Sequence, residues 1–198
     1  VCDTSGSMYG TYGSSVSPIS VSVSLGIYIS ERNESIFKDA FLTFSNRPQI
    51  QYLKGTFYDR CVQLSRAHWE MNTDIEAVFD LVLSVALRDN LPEEDMPTTI
   101  LIISDMQFDR CIKNYDDTVM EMIKDRYEAS GYKLPSIVFW NVRAALGQSP
   151  VRYDEKNTAV ISGFSPSILK SVLNGNISDP MEILRQTVFT ERYAPIEV

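Results

Sequence analysis

The run "TTILIISD", Thr98 to Asp105, constrains the fold more than any other stretch of the chain. It is almost unbroken apolar sequence, rich in isoleucine, too short for a buried helix and closed by an acid. A strand with one wet face would alternate, so this run predicts a central parallel strand buried on both faces. Parallel neighbours cannot be joined by tight turns; each needs a crossover of a dozen or more residues, usually a helix. The rest of the chain obliges. "SIVFWNV" (136–142) and "TAVISGF" (158–164) read as strands of the same kind, while "AFLTFS" (40–45) and "IQYL" (50–53), separated by "NRPQ", read as a hairpin.

Helical patterns fill the gaps. "TDIEAVFDLVLSVALRDN" carries Ile75, Val78, Phe79, Val82 and Ala86 at helical spacing, with Thr73 and Glu76 as a capping box. "YDDTVMEMIKDRYEASG" sets Val119, Met122, Ile123 and Tyr127 on one face and ends at Gly131. Two later helices begin at Ser165-Pro166, ending at Gly175, and at Asp179-Pro180 with Glu182. "ISVSVSLGIYIS" (19–30) is ambiguous: its alternation is that of a strand, but a crossover is required there, and Ser17-Pro18 makes a helix start. A helix is expected. The fold class is α/β: a three-layer, Rossmann-like arrangement, mainly parallel central sheet, one antiparallel edge strand, helices on both faces.

Length and composition fit one compact domain over residues 1–198, with 44% hydrophobic and 22% charged residues. A net charge of −8 argues against a direct electrostatic grip on nucleic acid. No apolar run reaches the ~18 residues of a membrane span, and no signal peptide is read. Cys2, Cys61 and Cys111 are odd in number and lack C-x-x-C spacing, which points to reduced thiols and an intracellular, cytoplasmic setting. In that setting the sequons at Asn33 and Asn176 are chance matches. The first strand has only "VC" before its acid, so the chain is expected to be cut from a longer protein whose upstream domain is a partner.

Ligands of such sheets bind beyond the carboxyl ends of the strands. Three loops meet there and supply Asp3, Ser5 and Ser7; Thr73; and Asp105. All are oxygen donors, suited to a hard divalent ion, and Gly6 is expected to let the first turn bend without a Cβ clash. Plainer roles stand beside this one. Asp3 and the serines also suit a capped turn, Thr73 a helix cap, and Asp105 a helix-entry acid. Met8, Met106 and Phe108 would form an apolar rim around the site, although burial of their loops accounts for them equally. His68, the only histidine, reads as structural beside Trp69; Trp69 and Trp140 read as packing residues, and "PEEDMP" as a solvated loop.

The D-T-S-G-S of residues 3–7, the threonine of "MNTD" and the aspartate of "ISD" together resemble the metal-ion-dependent adhesion site of von Willebrand factor A (vWA) domains. All five positions, Asp3, Ser5, Ser7, Thr73 and Asp105, are present in that family's order. More narrowly, "HWEMNTDIEAVFDLVL", "LIISDMQFD", "PSIVFWNV" and "ISGFSPSILK" are similar to the C-terminal vWA-like domain of an intracellular family of plants, fungi, protists and large DNA viruses. The resemblance implies Mg²⁺, or Mn²⁺ or Ca²⁺ in its place, bound directly by Ser5, Ser7 and Thr73. Asp3 and Asp105 would act partly through water, and an Asp or Glu of a partner protein would complete the shell. The function so implied is a metal-dependent protein-binding module and not an enzyme. The alternative is a metal-free scaffold within a larger assembly, as vWA domains of Ro-type ribonucleoproteins sit beside helical repeats. A phosphotransfer enzyme of the haloacid-dehalogenase type lacks its second acid, because Ser5 stands there. An aspartic protease would need glycine one residue earlier, and no G-x-x-x-x-G-K-[S/T] loop exists for nucleotides.

Overall fold

The computed structural model describes residues 1–11, 15–43, 47–67, 75–105, 117–143 and 158–163, with 169, 185 and 189. The helices are α1 (Pro18–Ser30), α2 (Phe57–Ser65), α3 (Ile75–Asp89) and α4 (Asp117–Ala129); the strands are β1 (Ala40–Leu42), β2 (Ile50–Tyr52), β3 (Thr99–Ser104), β4 (Ser136–Asn141) and β5 (Thr158–Ser162). The fold is mixed α/β. Strands β3, β4 and β5 form a parallel sheet, in register Thr99 to Ser136 and Ile137 to Thr158, and β1 pairs antiparallel with β2.

The N-terminal segment joins the two sheets. Cys2 makes parallel bridges to both Thr43 and Ile103, so the strands run β2, β1, Val1–Asp3, β3, β4, β5 across the molecule. Ile103 N–H donates to Val1 C=O and Asp3 N–H to Ile103 C=O, each at 2.9 Å. This short ladder carries Asp3 to the carboxyl edge beside the end of β3.

The pleat sorts the buried residues into two sets. Ile100, Ile102, Ile137 and Phe139 pack in one apolar cluster with Ile75, Val78, Phe79, Val82, Ile123 and Tyr127 of α3 and α4. The ring of Tyr127 meets Phe79 edge-on at 6.0 Å, and its hydroxyl donates to the Phe79 carbonyl at 2.8 Å. The alternate residues, Ile103, Val138 and Trp140, are equally buried but lie outside that cluster, as do Ile19, Val23 and Ile27 of α1 and Leu64 of α2. Trp140 is thus a packing residue, as expected. Met122 is not: it is 54% exposed, because the inward face of α4 runs through Ile123 and Tyr127, four residues apart, and Met122 lies off that line.

Helix α1 settles the ambiguous alternation. Its buried positions, Ile19, Ser22, Val23, Gly26, Ile27 and Ser30, follow helical spacing, and the buried serines satisfy their hydroxyls on backbone carbonyls. Gly26 is required by close approach: a Cβ there would sit 2.5 Å from Cys2 Sγ and 3.2 Å from Leu64 Cδ1. Helix α2 is absent from the sequence reading. It starts with a complete capping box between Thr56 and Asp59.

The chain divides into two compact units, Val1–Ser162 and Gly163–Val198, and every element named here lies in the first. In the second, Phe189 N–H donates to Arg185 C=O at 2.8 Å and the Phe189 ring is exposed. The helices expected after Ser165 and Asp179 lie outside the described residues. Among the described residues, no helix is long and apolar enough to cross a membrane.

Candidate metal centre

Asp3 is fixed before it meets any ligand. Its N–H is held by Ile103, and its carbonyl accepts the buried Ser22 hydroxyl at 3.4 Å. Its carboxylate accepts Ser5 N–H on Oδ1 at 2.8 Å and the Ser104 hydroxyl on Oδ2 at 2.6 Å. Both oxygens are therefore aimed, and the residue is only 4% exposed. Burial lifts the Asp3 carboxyl above the usual carboxylate range. The Ser104 hydroxyl and the Ser5 N–H pull it back, and the charge of Asp105 pushes it up again.

After Asp3 the chain enters a 3-10 turn, Gly6–Tyr9, with Ser5 at its N-cap position. Ser5 makes no side-chain cap there. Its Oγ instead faces Ser7 Oγ at 2.9 Å. Adjacent oxygens of an octahedral Mg²⁺ shell, with bonds of about 2.0–2.1 Å, are about 2.9 Å apart. The pair thus has the spacing of one edge of such a shell, a spacing that a hydroxyl–hydroxyl hydrogen bond shares. Asp105 is buried at the end of β3, near enough to Asp3 for its charge to be felt, and its Oδ2 lies 3.8 Å from Arg143 Nη1.

Four of the five expected metal ligands, Asp3, Ser5, Ser7 and Asp105, therefore stand on turns that leave one sheet edge. The fifth, Thr73, lies outside the described residues, as do Met106 and Phe108 of the expected rim, His68, Trp69 and Cys111. Met8 is a correction: it is fully buried, because the 3-10 turn winds it inward, so it forms no rim. Its neighbour Tyr9 faces out instead, 55% exposed, with its hydroxyl donating to Ser65 C=O at 3.1 Å. Gly6 is a second correction. Its φ is not positive, and an added Cβ would meet nothing within 4 Å, so glycine is not a steric need there.

Sequence reasoning missed Ser104 and Arg143. Ser104 directly precedes Asp105, yet its hydroxyl serves Asp3, a hundred residues away in the chain. Arg143 follows the end of β4, and the strand register brings it beside Asp105. A polar residue and a cation at the carboxyl ends of two buried strands were the available signals. Among the described residues, no group of three or more His, Cys, Asp or Glu could hold a metal. A divalent ion here would depend on hydroxyl oxygens as much as on carboxylates, which suits Mg²⁺ with retained waters better than Zn²⁺.

Residues 1–193 match the family described as a domain of unknown function, DUF7788. The chain is also 32% identical over 186 residues to "Uncharacterized protein L728" of Acanthamoeba polyphaga mimivirus, covering 93% of this chain and 32% of the viral protein. It thus spans about a third of the length of that relative. No solved structure matches it.

Proposed function

The chain belongs to the DUF7788 family, and for this member we propose a vWA-like domain that binds partner proteins through a divalent ion. Asp3, Ser5, Ser7 and Asp105, with Thr73, would hold the ion, and an Asp or Glu of the partner would complete its shell. The observation that carries this reading is the pairing of two buried acids, Asp3 and Asp105, with hydroxyls spaced as adjacent ligands. Protein donors orient Asp3 but leave its carboxyl raised, and a divalent cation would relieve that excess negative charge. The parallel sheet, with the helices α1 and α2 in contact and α3 and α4 in contact, supports the three-layer vWA arrangement. When bound, the ion would act as a Lewis acid toward an anionic group, and no enzymatic step is needed for that role.

Free thiols at Cys2 and Cys61 support an intracellular, cytoplasmic setting, and the net charge of −8 supports a protein rather than a nucleic-acid partner. The small share of the viral relative that the chain covers supports further domains acting beside this one. A metal-free scaffold is the second reading, favoured by Arg143, which already places a positive charge beside Asp105. Thermal unfolding separates the two. At a hundredfold excess of Mg²⁺ over its Kd the melting temperature of the wild type should rise on the order of 5–10 °C, and Asp3→Ala should abolish the rise. Equal curves with Mg²⁺ and with chelator in the wild type would support the scaffold.

A further inference from the structure

The centre carries a cation of its own. Ser104 stands opposite Asn141 in the register, and Val142 N–H donates to Ser104 C=O at 3.0 Å, so Asp105 and Arg143 leave the same edge side by side. Arg143 Nη1 lies 3.8 Å from Asp105 Oδ2; the aspartate side chain is fully enclosed and that of the arginine only 17% exposed. The backbone of Arg143 is fixed as well. Asn141 Oδ1 accepts Arg143 N–H at 2.9 Å, an Asx turn that sets the direction in which residue 143 leaves the strand. A guanidinium does not lose its proton in a folded protein, so this charge is permanent.

We propose that Arg143 sets the net charge of the centre and thereby its ligand: it weakens the hold on the divalent ion and strengthens the capture of a carboxylate there. The proposal rests on the metal-binding reading given above. With both acids ionised, Asp3 and Asp105 contribute two negative charges and Arg143 one positive. Among the described residues the centre then has one net negative charge alone and one net positive charge with a divalent ion. Without Arg143 the loaded centre is neutral, and the ion alone draws a carboxylate less strongly. A guanidinium beside Asp105 also competes with any second cation for that buried carboxylate, and competition of this kind is strong where water is excluded. The two effects have opposite signs on two measurable affinities, which a purely structural ion pair would not produce.

Mn²⁺ serves as the probe, its free concentration followed by electron paramagnetic resonance, and acetate stands in for the partner's carboxylate, its binding to the Mn²⁺-saturated protein followed by water-proton relaxation. Arg143→Gln and Arg143→Met should each bind Mn²⁺ about tenfold more tightly than the wild type and, once loaded, acetate about tenfold more weakly. Arg143→Lys, which keeps the charge, should stay near the wild type in both and separates a charge effect from a folding defect. Neutral variants that bind Mn²⁺ no more tightly, or acetate no more weakly, would overturn the proposal while stoichiometric, Asp3-dependent Mn²⁺ binding by the wild type left the metal reading standing. A wild type that binds no Mn²⁺ at all would overturn both.

Discussion

Two turns in this molecule use the same materials to opposite effect. At the start of α2, Thr56 Oγ1 accepts Asp59 N–H at 3.3 Å, while the Asp59 carboxylate accepts Thr56 N–H at 2.9 Å and its hydroxyl at 2.6 Å. That acid is exposed, and its donors hold the carboxyl below the usual range. At the end of the N-terminal segment Asp3 also accepts one backbone N–H and one hydroxyl, at nearly the same distances, yet its carboxyl is raised. Solvent and a second acid make the difference: Asp3 is buried and feels Asp105. The Thr56 turn is complete in itself as a helix cap. In the Asp3 turn the N-cap serine does not cap, and its hydroxyl faces a second hydroxyl instead. The Asp3–Ser5 bond is an Asx turn, as local as the Thr56 cap, but helix capping does not account for the burial of Asp3 beside a second acid.

Five substitutions probe this contrast. The largest effect belongs to Gly26→Ala. The new Cβ would press on Cys2 Sγ, beside Asp3, and should cost about 1–3 kcal/mol in a urea melt. Adding Cys2→Ala should recover most of the loss if close approach of α1 seats the strand. Thr56→Ala should cost about 1 kcal/mol, the usual worth of a cap, and leave the response to Mg²⁺ unchanged. Asp59→Asn should destabilise in the same direction at neutral pH. Because the Asp59 carboxyl is lowered from its ordinary value of 3.8, its contribution is fully present above that value and is lost as the pH falls below it and through the lowered folded-state value. The gap between wild type and variant should therefore close in acid. Smallest of all, Asp3→Asn in chelator should change stability by less than about 1 kcal/mol, since burial already disfavours the charge. The same variant should lose its whole response to Mg²⁺. If Asp3→Asn proved as costly as Thr56→Ala whether or not metal was present, the two turns would be alike after all.

Strands β3 and β4 were legible because burial on two faces leaves a continuous apolar signature, and the hairpin because "NRPQ" separates two short apolar runs. Helix α1 was legible only through topology. Its buried Ser22 and Ser30 face the interior by bonding to backbone carbonyls, so polar residues fall on both sides and the periodicity blurs. Helix α2 went unread although Phe57, Cys61 and Leu64 recur at helical spacing and Thr56 and Asp59 have the spacing of a cap; its nine residues give that pattern barely two turns in which to repeat. Asp3, Ser5, Ser7 and Asp105 could be grouped from the edge rule alone. Ser104 and Arg143 could not, because their roles depend on register and on which oxygen a hydroxyl reaches. Met8 misled for a related reason: proximity in sequence to a surface turn says nothing about which way the next residue is wound.

Paramagnetic broadening by Mn²⁺ in amide-resolved nuclear magnetic resonance spectra tests the central claim most directly. Substoichiometric Mn²⁺ should first erase the amide signals of residues 3–7 and 104–105, and Asp3→Ala should abolish that pattern. Broadening that instead began at the exposed acids of Glu93–Asp95, or spread evenly over the acidic surface, would contradict a metal centre at the carboxyl edge.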